Sequence, residues 1–288
     1  MTPRVSVIMP VRNCRPFVME AVNSILNQHF ADFEFLIVDD GSTDGTYELL
    51  FDEVADARVH IFRGQQNLGL PARLNQLIQM SRGEFIARMD GDDISYPDRL
   101  ERQLAYLQTN VEVTLVACSM AVIDAHNQLI GMNRFRGEDH ATITATPWRG
   151  FHMNHATWVA PRAFFDRWAY DPDAAPSEDD ELLLRAYRSE RFACLPDVLY
   201  AYRVDGLSVG RIIRARLQFL RSVLRSARRT RSAAFLLAVP DQIAKASVDA
   251  VAILSGLERS VLRHRFGDFS PADREKWLKI VDSLGESV

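Results

Sequence analysis

Phe85-Ile86-Ala87-Arg88-Met89-Asp90-Gly91-Asp92-Asp93 tells more about the fold than any other part of the 288-residue chain. Its apolar start predicts a short buried strand, and three carboxylates follow within four residues. Open α/β folds bind ligands at the carboxyl ends of their strands. Neighbouring carboxylates repel one another unless a cation or donor lies between them, and such oxygen ligands suit Mg²⁺ or Mn²⁺ bound with substrate phosphates. The alternative is a solvated acidic turn before a helix that begins near Pro97.

The first hundred residues alternate between strand and helix patterns, which favours a parallel sheet with crossover helices. The predicted strands are Val5–Met9, Phe33–Val38, Val59–Phe62 and Phe85–Met89. The predicted helices are Pro16–Gln28, Thr46–Val54 and Pro71–Ser81. We therefore predict an α/β fold with a mostly parallel central sheet flanked by helices.

The pattern beyond residue 100 is less regular. We predict further strands at Val113–Cys118, Met120–Asp124 and Asn154–Val159, and helices at Leu100–Leu107, Pro161–Trp168 and from Glu178 onward. After Tyr202 the composition changes, because residues 203–231 contain nine arginines and a single acid. We predict a domain of residues 1–210, with halves of about 1–100 and 101–210, and an Arg-rich helical extension over 211–288.

Composition narrows the class of protein. The hydrophobic content of 47% and charged content of 25% are ordinary for a globular protein, and a net charge of −4 argues against nucleic-acid binding. The three cysteines lack metal-site spacing, and their odd number argues against a disulfide framework. With no signal-peptide pattern and no apolar run of about 18–20 residues, we expect a cytoplasmic protein.

Acidic residues recur at three places that the predicted topology relates. Asp39-Asp40 follows the second strand, Asp90–Asp93 the fourth, and Glu178-Asp179 opens a later helix. In a parallel sheet the first two lie at the same edge. One site could hold a nucleotide base, the next a metal diphosphate, and the third a general base. Taken singly, Asp39-Asp40 could be only a turn and Glu178-Asp179 only a charged helix start.

Taken together, these segments resemble the family 2 glycosyltransferases, which have the Rossmann-like GT-A fold. The resemblance covers residues 4–210 and rests on ordered motifs. These are Val5-Ser6-Val7-Ile8-Met9-Pro10-Val11-Arg12-Asn13, Ile37-Val38-Asp39-Asp40-Gly41-Ser42-Thr43-Asp44-Gly45-Thr46, Asn67-Leu68-Gly69-Leu70, Asp90-Gly91-Asp92-Asp93, Glu178-Asp179 and Asp197-Val198-Leu199-Tyr200-Ala201-Tyr202-Arg203.

The resemblance implies an inverting enzyme that uses a nucleotide diphosphate sugar. It implies that Asp39 bonds the donor's base and that Asp90 and Asp92 form the DxD motif, with Asp92 the direct ligand of Mn²⁺ or Mg²⁺. Asp179 matches the general base, and Glu178 is the alternative if the motif is shifted by one residue. The remaining implied donor contacts come from the other motif residues, which are Pro10, Arg12, Asn67, Gly69 and Gly91.

Three departures from the family pattern bear on the substrate. Arg12 replaces the aromatic residue that often lies against the base, and an arginine there can stack or pair with phosphate. Val204-Asp205 stands where a histidine is frequent. The chain also lacks Gln-x-x-Arg-Trp, the mark of processive synthases, which favours transfer of single sugars.

We therefore predict a metal-dependent glycosyltransferase that moves one sugar from a UDP- or dTDP-type donor to a saccharide or lipid-linked saccharide in glycoconjugate synthesis. Two alternatives are a nucleotidyltransferase, which would want a glycine-rich loop that Pro10–Cys14 lacks, and a non-catalytic nucleotide-sugar-binding protein. Residues 211–231 are either a helical face packed on the catalytic domain or a basic surface that contacts anionic lipid at the inner face of the membrane. His152 and His155 are expected to have structural or acceptor-packing roles.

Overall fold

A computed structural model describes residues 2–204, 209–230, 233–255 and 266–285 of the chain. Within these ranges one mixed sheet forms the centre of the molecule, with strand order β3-β2-β1-β4-β8-β6-β9-β5, and β7 pairs with β6. The strands are β1 Val5–Val11, β2 Phe33–Asp39, β3 Val59–Arg63, β4 Phe85–Arg88, β5 Ile94–Ser95, β6 Leu115–Ile123, β7 Leu129–Asn133, β8 Val159–Pro161 and β9 Phe192–Arg203.

Helices cover both faces of this sheet. They are α1 Val18–Leu26, α2 Thr46–Glu53, α3 Leu70–Met80, α4 Arg99–Thr109, α5 His140–Ile143, α6 Arg162–Arg167, α7 Glu178–Ala186, α8 Val209–Thr230, α9 Ala238–Leu254 and α10 Pro271–Gly285. Short 3₁₀ turns lie at Pro147–Arg149, His155–Thr157, Pro172–Ala174 and Ala233–Leu237. The predicted α/β architecture with C-terminal helices is confirmed.

Parallel register brings three strand ends to one edge of the sheet. Strand β1 pairs with β2 on one side, so that Val11 lies opposite Asp39. It pairs with β4 on the other side, where Ile8 lies opposite Arg88. The loops that follow β1, β2 and β4 therefore converge, and these loops carry most of the motif residues.

The two faces of the sheet bury separate apolar clusters. Helices α1 and α4 pack on one face, and the apolar side of each helix is buried there, through residues such as Val22 of α1 and Leu104 of α4. Helices α3, α6, α7 and α8 pack on the other, through residues such as Leu77, Phe164 and Phe219. Most of these side chains are at most about one-twentieth exposed, so burial of apolar area holds the two layers on the sheet.

The three strands predicted between residues 113 and 159 differ in detail from the strands of the structure. The predicted pair Val113–Cys118 and Met120–Asp124 is one continuous strand, β6, which runs beside β9 through a register shift at Cys118 and Ser119. The predicted strand Asn154–Val159 begins as the 3₁₀ turn His155–Thr157. The Thr157 hydroxyl accepts from the Cys118 N–H at 3.1 Å and donates to the Asn154 carbonyl at 2.8 Å, so a side chain replaces strand-to-strand bonds there.

The C-terminal helices contact different parts of the molecule. Phe219 and Val223 of α8 are buried in the same cluster as the leucines of α7. Helix α10 instead returns to the sheet beside β5, where Trp277 stacks on Tyr96 with ring centroids 6.1 Å apart. The indole N–H of Trp277 donates to the Asn127 carbonyl at 2.8 Å.

Across the described ranges, no helix combines the length and hydropathy that crossing a bilayer requires.

Candidate active site

Asp39 is the last residue of β2 and lies at the carboxyl edge of the sheet. It is 1% exposed, and its Oδ2 accepts from the backbone N–H of Ser42 at 3.0 Å. Its Oδ1 is buried and has no hydrogen-bond partner among the described residues. A buried carboxylate oxygen without a donor is costly, and a ring N–H of a nucleotide base would satisfy it.

Asp40, the next residue, has a different role. Its carboxylate accepts from the backbone N–H groups of Leu68 and Gly69 at 2.8 and 2.9 Å, and from Arg73 Nε at 2.7 Å. Arg73 and Asp40 are each only 6% exposed at their side chains. The sequence predicts no separate role for Asp40, and in the structure its carboxylate holds the following loop against β2.

The loop held by Asp40 contains the predicted residues Asn67 and Gly69. Asn67 is exposed, and its side-chain oxygen accepts from the Gly69 N–H at 3.0 Å. Gly69 has a φ of +86°, a conformation that favours glycine. Both residues therefore lie on the same edge as Asp39, with their geometry set by the loop.

The loop after β1 completes this side of the site. Pro10 is a buried residue of β1, and Arg12 is exposed just beyond it. Asn13 links the loop to its neighbour, because its N–H donates to Ser42 Oγ at 2.9 Å and its side chain accepts from the Thr43 N–H at 2.8 Å. Arg12 therefore lies in an exposed position beside the carboxyl edge of the sheet.

The acidic motif after β4 contains an internal counter-ion. Arg88 is 4% exposed at its side chain and contacts both oxygens of Asp90, at 2.7 and 3.0 Å. Gly91 allows close packing, since a Cβ there would lie 2.6 Å from a Val11 methyl group. Burial and the Asp90 charge raise the pKa of Asp92 to about 6, against smaller opposing effects of Arg203 and Arg88.

Asp93, the last acid of the motif, is structural. It is completely buried, and its Oδ1 accepts from the Arg203 N–H at 2.8 Å. The Arg203 guanidinium donates to the Asp92 carbonyl at 2.7 Å and pairs with Glu20 at 2.7 Å. Arg203 therefore fixes the backbone of the acidic motif from β9. The departure at Asp205 lies outside the described residues.

Glu178 and Asp179 open α7, and the Arg88 charge acts on both. Glu178 is 6% exposed, and burial and the Asp179 charge raise its pKa to about 7, with a smaller contribution from Asp90. Asp179 is partly exposed to a cavity of about 370 Å³, and burial raises its pKa too. Asp180 makes a structural contact, because its Oδ1 accepts from the Phe151 N–H at 3.0 Å.

His155 is buried behind Glu178. Its Nε2 lies 2.8 Å from the Tyr170 hydroxyl, and its Nδ1 lies 3.8 Å from Glu178 Oε1. Burial and the Arg88 charge lower the pKa of His155 well below its ordinary value, so the ring is neutral at pH 7. His155 is therefore a packed residue, which agrees with the structural role expected from the sequence. The backbone carbonyl of His152 accepts a hydrogen bond from Cys194 Sγ.

Sequence reasoning missed Arg88. It lies two residues before Asp90, but the pattern of acids predicts no role for it. The available signal was an arginine within an apolar strand, because a buried charge requires a partner.

A divalent metal fits the acids of the motif only in part. Among the described residues, no group of three or more histidine, cysteine or acidic side chains is arranged to hold a metal. Asp92 has the raised pKa of a carboxylate next to another acid, whereas Asp90 is paired with Arg88. Two carboxylates suit Mg²⁺ or Mn²⁺ that shares its coordination with substrate phosphates and water.

Residues 6–170 match the family described as Glycosyl transferase family 2. The chain belongs to this family. The match begins in β1 and ends at Tyr170, which contacts His155, so it includes the convergent loops and the acidic motif. Helix α7, with Glu178 and Asp179, follows outside it.

Several relatives of the chain are also named glycosyltransferases. It is 39% identical to the putative glycosyltransferase EpsE of Bacillus subtilis over 42% of the chain and 45% of EpsE. An uncharacterized glycosyltransferase of Methanocaldococcus jannaschii is 27% identical over 70% of this chain and 71% of that protein. The chondroitin synthase of Escherichia coli is 34% identical over 44% of the chain and 19% of the synthase. The chain thus aligns with less than half the length of EpsE and of the synthase.

Solved structures agree with the GT-A fold. Staphylococcus aureus TarS 1–349 in complex with UDP-GlcNAc has a TM-score of 0.61 at 19% identity, with 77% of this chain and 66% of that chain covered. The mannosyltransferase PcManGT of Pyrobaculum calidifontis, in complex with GDP-Man and Mn²⁺, has a TM-score of 0.61 at 18% identity, with 99% and 86% covered. At these identities the likeness concerns the fold.

Proposed function

We propose that this chain is a metal-dependent, inverting glycosyltransferase that moves a single sugar from a nucleotide diphosphate sugar to an acceptor hydroxyl. One observation carries the proposal. The acidic motif and the start of α7 lie near one another, because the charges of Asp90 and Arg88 both act on the pKa of Glu178, and this supports a shared site. A donor bound at the motif would therefore have its reacting carbon close to a base.

The donor's base is proposed to lie at Asp39. Its unpartnered oxygen can accept the ring N–H of a uracil- or thymine-type base, which favours a UDP- or dTDP-sugar. Arg12, which is exposed beside this edge of the sheet, can stack on the base or pair with phosphate. TarS, which binds UDP-GlcNAc, and PcManGT, which binds GDP-Man, support a nucleotide-sugar donor in general.

Asp92, with Asp90 beside it, would hold Mn²⁺ or Mg²⁺. A bound cation supplies Lewis-acid stabilisation of the charge that grows on the departing diphosphate. Arg88 keeps Asp90 oriented through two contacts, and Arg203 fixes the backbone carbonyl of Asp92. These contacts preorganise the carboxylates before the donor arrives.

Asp179 is proposed as the general base, with Glu178 as the alternative. It lines the cavity beside α7, so an acceptor hydroxyl can reach it. The base takes the hydroxyl proton while the oxygen attacks the anomeric carbon from the face opposite the diphosphate, which inverts the configuration there. Proton transfer of this kind contributes about 10²–10⁴-fold in rate.

The acceptor is proposed to be a saccharide or a lipid-linked saccharide of glycoconjugate synthesis. The similarity to chondroitin synthase supports polysaccharide chemistry. Helix α8 presents Ile213 and Leu217, 49% and 52% exposed, next to the exposed Arg214 and Arg221. A basic helix with exposed apolar residues suits the anionic inner face of a membrane. Three arginines of this segment, Arg211, Arg229 and Arg231, have side chains outside the described residues.

Thermal unfolding tests the donor site. A ligand that binds only the folded state raises its stability, so we expect an Mn²⁺-dependent rise in Tm with UDP or dTDP and their sugars. Slow release of the nucleoside diphosphate from the matching sugar should follow. A Tm rise without any release would indicate a non-catalytic nucleotide-sugar-binding protein, and no rise with any nucleotide would contradict the proposal.

Membrane contact has a separate test. The full chain should co-sediment with vesicles that contain phosphatidylserine and stay in the supernatant with phosphatidylcholine vesicles. Salt should weaken the binding, because the attraction between exposed charges is screened within about 8–10 Å at 0.10–0.15 M. Equal recovery with both vesicles would contradict lipid contact by the arginines.

A further inference from the structure

Helix α10 packs against the residues that directly follow the acidic motif. Trp277 of α10 is 1% exposed and lies in one apolar cluster with Ile94 and Tyr96. Ile94 comes directly after Asp93, the last acid of the motif. Helix α10 therefore contacts this segment from a part of the sequence that lies outside the family match at residues 6–170.

The N-terminal end of α10 is held by contacts that do not involve Trp277. The N–H of Gly267 donates to the Met132 carbonyl at 2.8 Å, and the N–H of Met132 donates to the Gly267 carbonyl at 2.9 Å. In the first turn of the helix, Asp273 pairs with Arg134 at 2.6 Å. Loss of a single hydrogen bond at Trp277 should therefore leave α10 in place.

A series of hydrogen bonds links Trp277 to the acidic motif. The Trp277 indole N–H donates to the Asn127 carbonyl at 2.8 Å, and the Asn127 side-chain amide donates to Glu20 Oε1 at 3.1 Å. The other oxygen of Glu20 accepts from the Arg203 guanidinium at 2.7 Å. Arg203 Nε in turn donates to the Asp92 carbonyl at 2.7 Å. Helix α10 is thus connected to the backbone of the proposed metal ligand.

The turn between β6 and β7 receives contacts from both ends of this series. Trp277 contacts it at Asn127, and the Arg203 guanidinium donates to the carbonyl of Asp124 at 2.9 Å. The turn is itself well fixed, because Asp124 Oδ1 accepts from two of its backbone N–H groups, at 2.8 and 2.9 Å. A displacement of the turn at Asn127 would therefore also displace a partner of Arg203.

Arg203 is the member of the series that contacts the motif. Its side chain is 1% exposed, and the centroid of the Phe17 ring lies 4.3 Å from its guanidinium carbon. A buried cation needs all of its partners, and hydrogen bonds in such surroundings are stronger than in water. Because the Asp92 carbonyl is one of those partners, a shift of Arg203 acts directly on the backbone of Asp92.

We propose that α10 is a positioning element of the metal site, and that Trp277 acts on Asp92 through Asn127, Glu20 and Arg203. The inference rests on the proposed function, in which Asp92 binds the cation. Such ligands must be held within about 0.5 Å of their productive position, and residues that orient them commonly contribute about 10–100-fold to metal affinity. Trp277 acts through intermediate residues, so its own effect is smaller.

Two variants interrupt the series without removing α10. Trp277→Phe removes the indole N–H and keeps an aromatic ring in the apolar cluster. Asn127→Gly keeps the carbonyl that accepts from Trp277 and suits the φ of +58° at this position, but it lacks the amide that reaches Glu20. Trp168→Phe is the matched control, because the Trp168 indole donates to Glu190 at 2.7 Å, outside this series.

Hydrogen exchange of the chain without metal or nucleotide tests the positioning itself. We expect peptides that contain residues 90–95 to exchange about threefold faster in Trp277→Phe and Asn127→Gly than in the unmodified chain, the effect of about one lost hydrogen bond on local opening. In Trp168→Phe their exchange should stay as in the unmodified chain. Unchanged exchange in both test variants overturns the proposal.

Calorimetric titration with UDP and with dTDP, in EDTA and in Mn²⁺, gives a readout that a merely structural role would not move. The affinity in EDTA should be unchanged in all three variants, since Asp39 is not part of the series. The gain in affinity from Mn²⁺ should fall about threefold in Trp277→Phe and Asn127→Gly, and stay the same in Trp168→Phe. Equal losses with and without Mn²⁺ contradict a positioning role.

The two experiments separate this proposal from the proposed function. If Mn²⁺ does not change nucleotide affinity in the unmodified chain, the proposed function is contradicted. The exchange of residues 90–95 does not depend on metal or donor, so it still shows whether α10 positions the acidic motif.

Discussion

The Arg88 guanidinium contacts both carboxylate oxygens of Asp90, at 2.7 and 3.0 Å, and links the acidic motif to the α7 acids. Its charge lowers the pKa of Asp92, Glu178 and Asp179, against the larger opposing effect of burial. One buried arginine thus serves both halves of the proposed reaction.

Arg88→Met should therefore shift the pH dependence of turnover. The base acts in its deprotonated form, so removal of a cation that lowers its pKa moves the acidic limb of the rate profile to higher pH. We expect a shift of about one pH unit, the lower end of the effect of a nearby charge. The kcat profile of donor hydrolysis measures it, with the exposed Arg63→Met as control. An unshifted profile with lowered kcat would mean that Arg88 acts only by orienting Asp90.

Asp92→Asn should abolish the metal-dependent part of donor binding. The amide keeps the shape of the side chain but loses the charge that attracts a cation. Because the folded state already raises the Asp92 pKa to about 6, neutralisation should not lower Tm in the absence of ligands. Thermal unfolding with UDP, with and without Mn²⁺, tests both expectations against the exposed Asp52→Asn. A full Mn²⁺ response in Asp92→Asn would remove this residue from the metal site.

Asp179→Asn and Glu178→Gln separate the two candidate bases. Loss of the base should lower kcat by about 10²–10⁴-fold and leave the affinity for the nucleoside diphosphate nearly unchanged. We expect this result for Asp179→Asn and a smaller loss for Glu178→Gln. The reverse order would assign the base to Glu178, and near-normal turnover in both variants would contradict a base on α7.

Substitutions of Asp39 and Asp40 should affect different properties, nucleotide binding for Asp39 and stability for Asp40. Asp40→Ala leaves the guanidinium of Arg73 buried without its carboxylate, which costs about 3–5 kcal/mol of unfolding free energy. Asp39→Asn should leave stability within about 1 kcal/mol and weaken nucleotide binding by about tenfold or more, because a hydrogen bond to a charged group contributes about 1.5–3 kcal/mol. Urea unfolding and nucleotide titration measure the two effects. Equal losses of stability would contradict the division of roles.

The sequence alone determined the architecture and the chemistry-bearing positions. Alternating strands and helices specify a parallel sheet, and acids directly after β2 and β4 must lie at its carboxyl edge, whatever the packing. The motif order was sufficient for the family. These features are local or follow from topology, so a linear pattern can carry them.

Only the tertiary structure decided which of the acids are held in structural contacts within the fold. Asp40 meets Arg73, and Asp93 meets Arg203, across 33 and 110 residues of sequence. The pairing of Arg88 with Asp90 is local. The effect of the Arg88 charge on the pKa of Glu178 depends instead on how α7 packs on the sheet. The cavity walled by α8 and α9 likewise exists only because distant helices close over Asp179. Contacts between distant segments depend on packing in three dimensions, and no spacing along the chain records them.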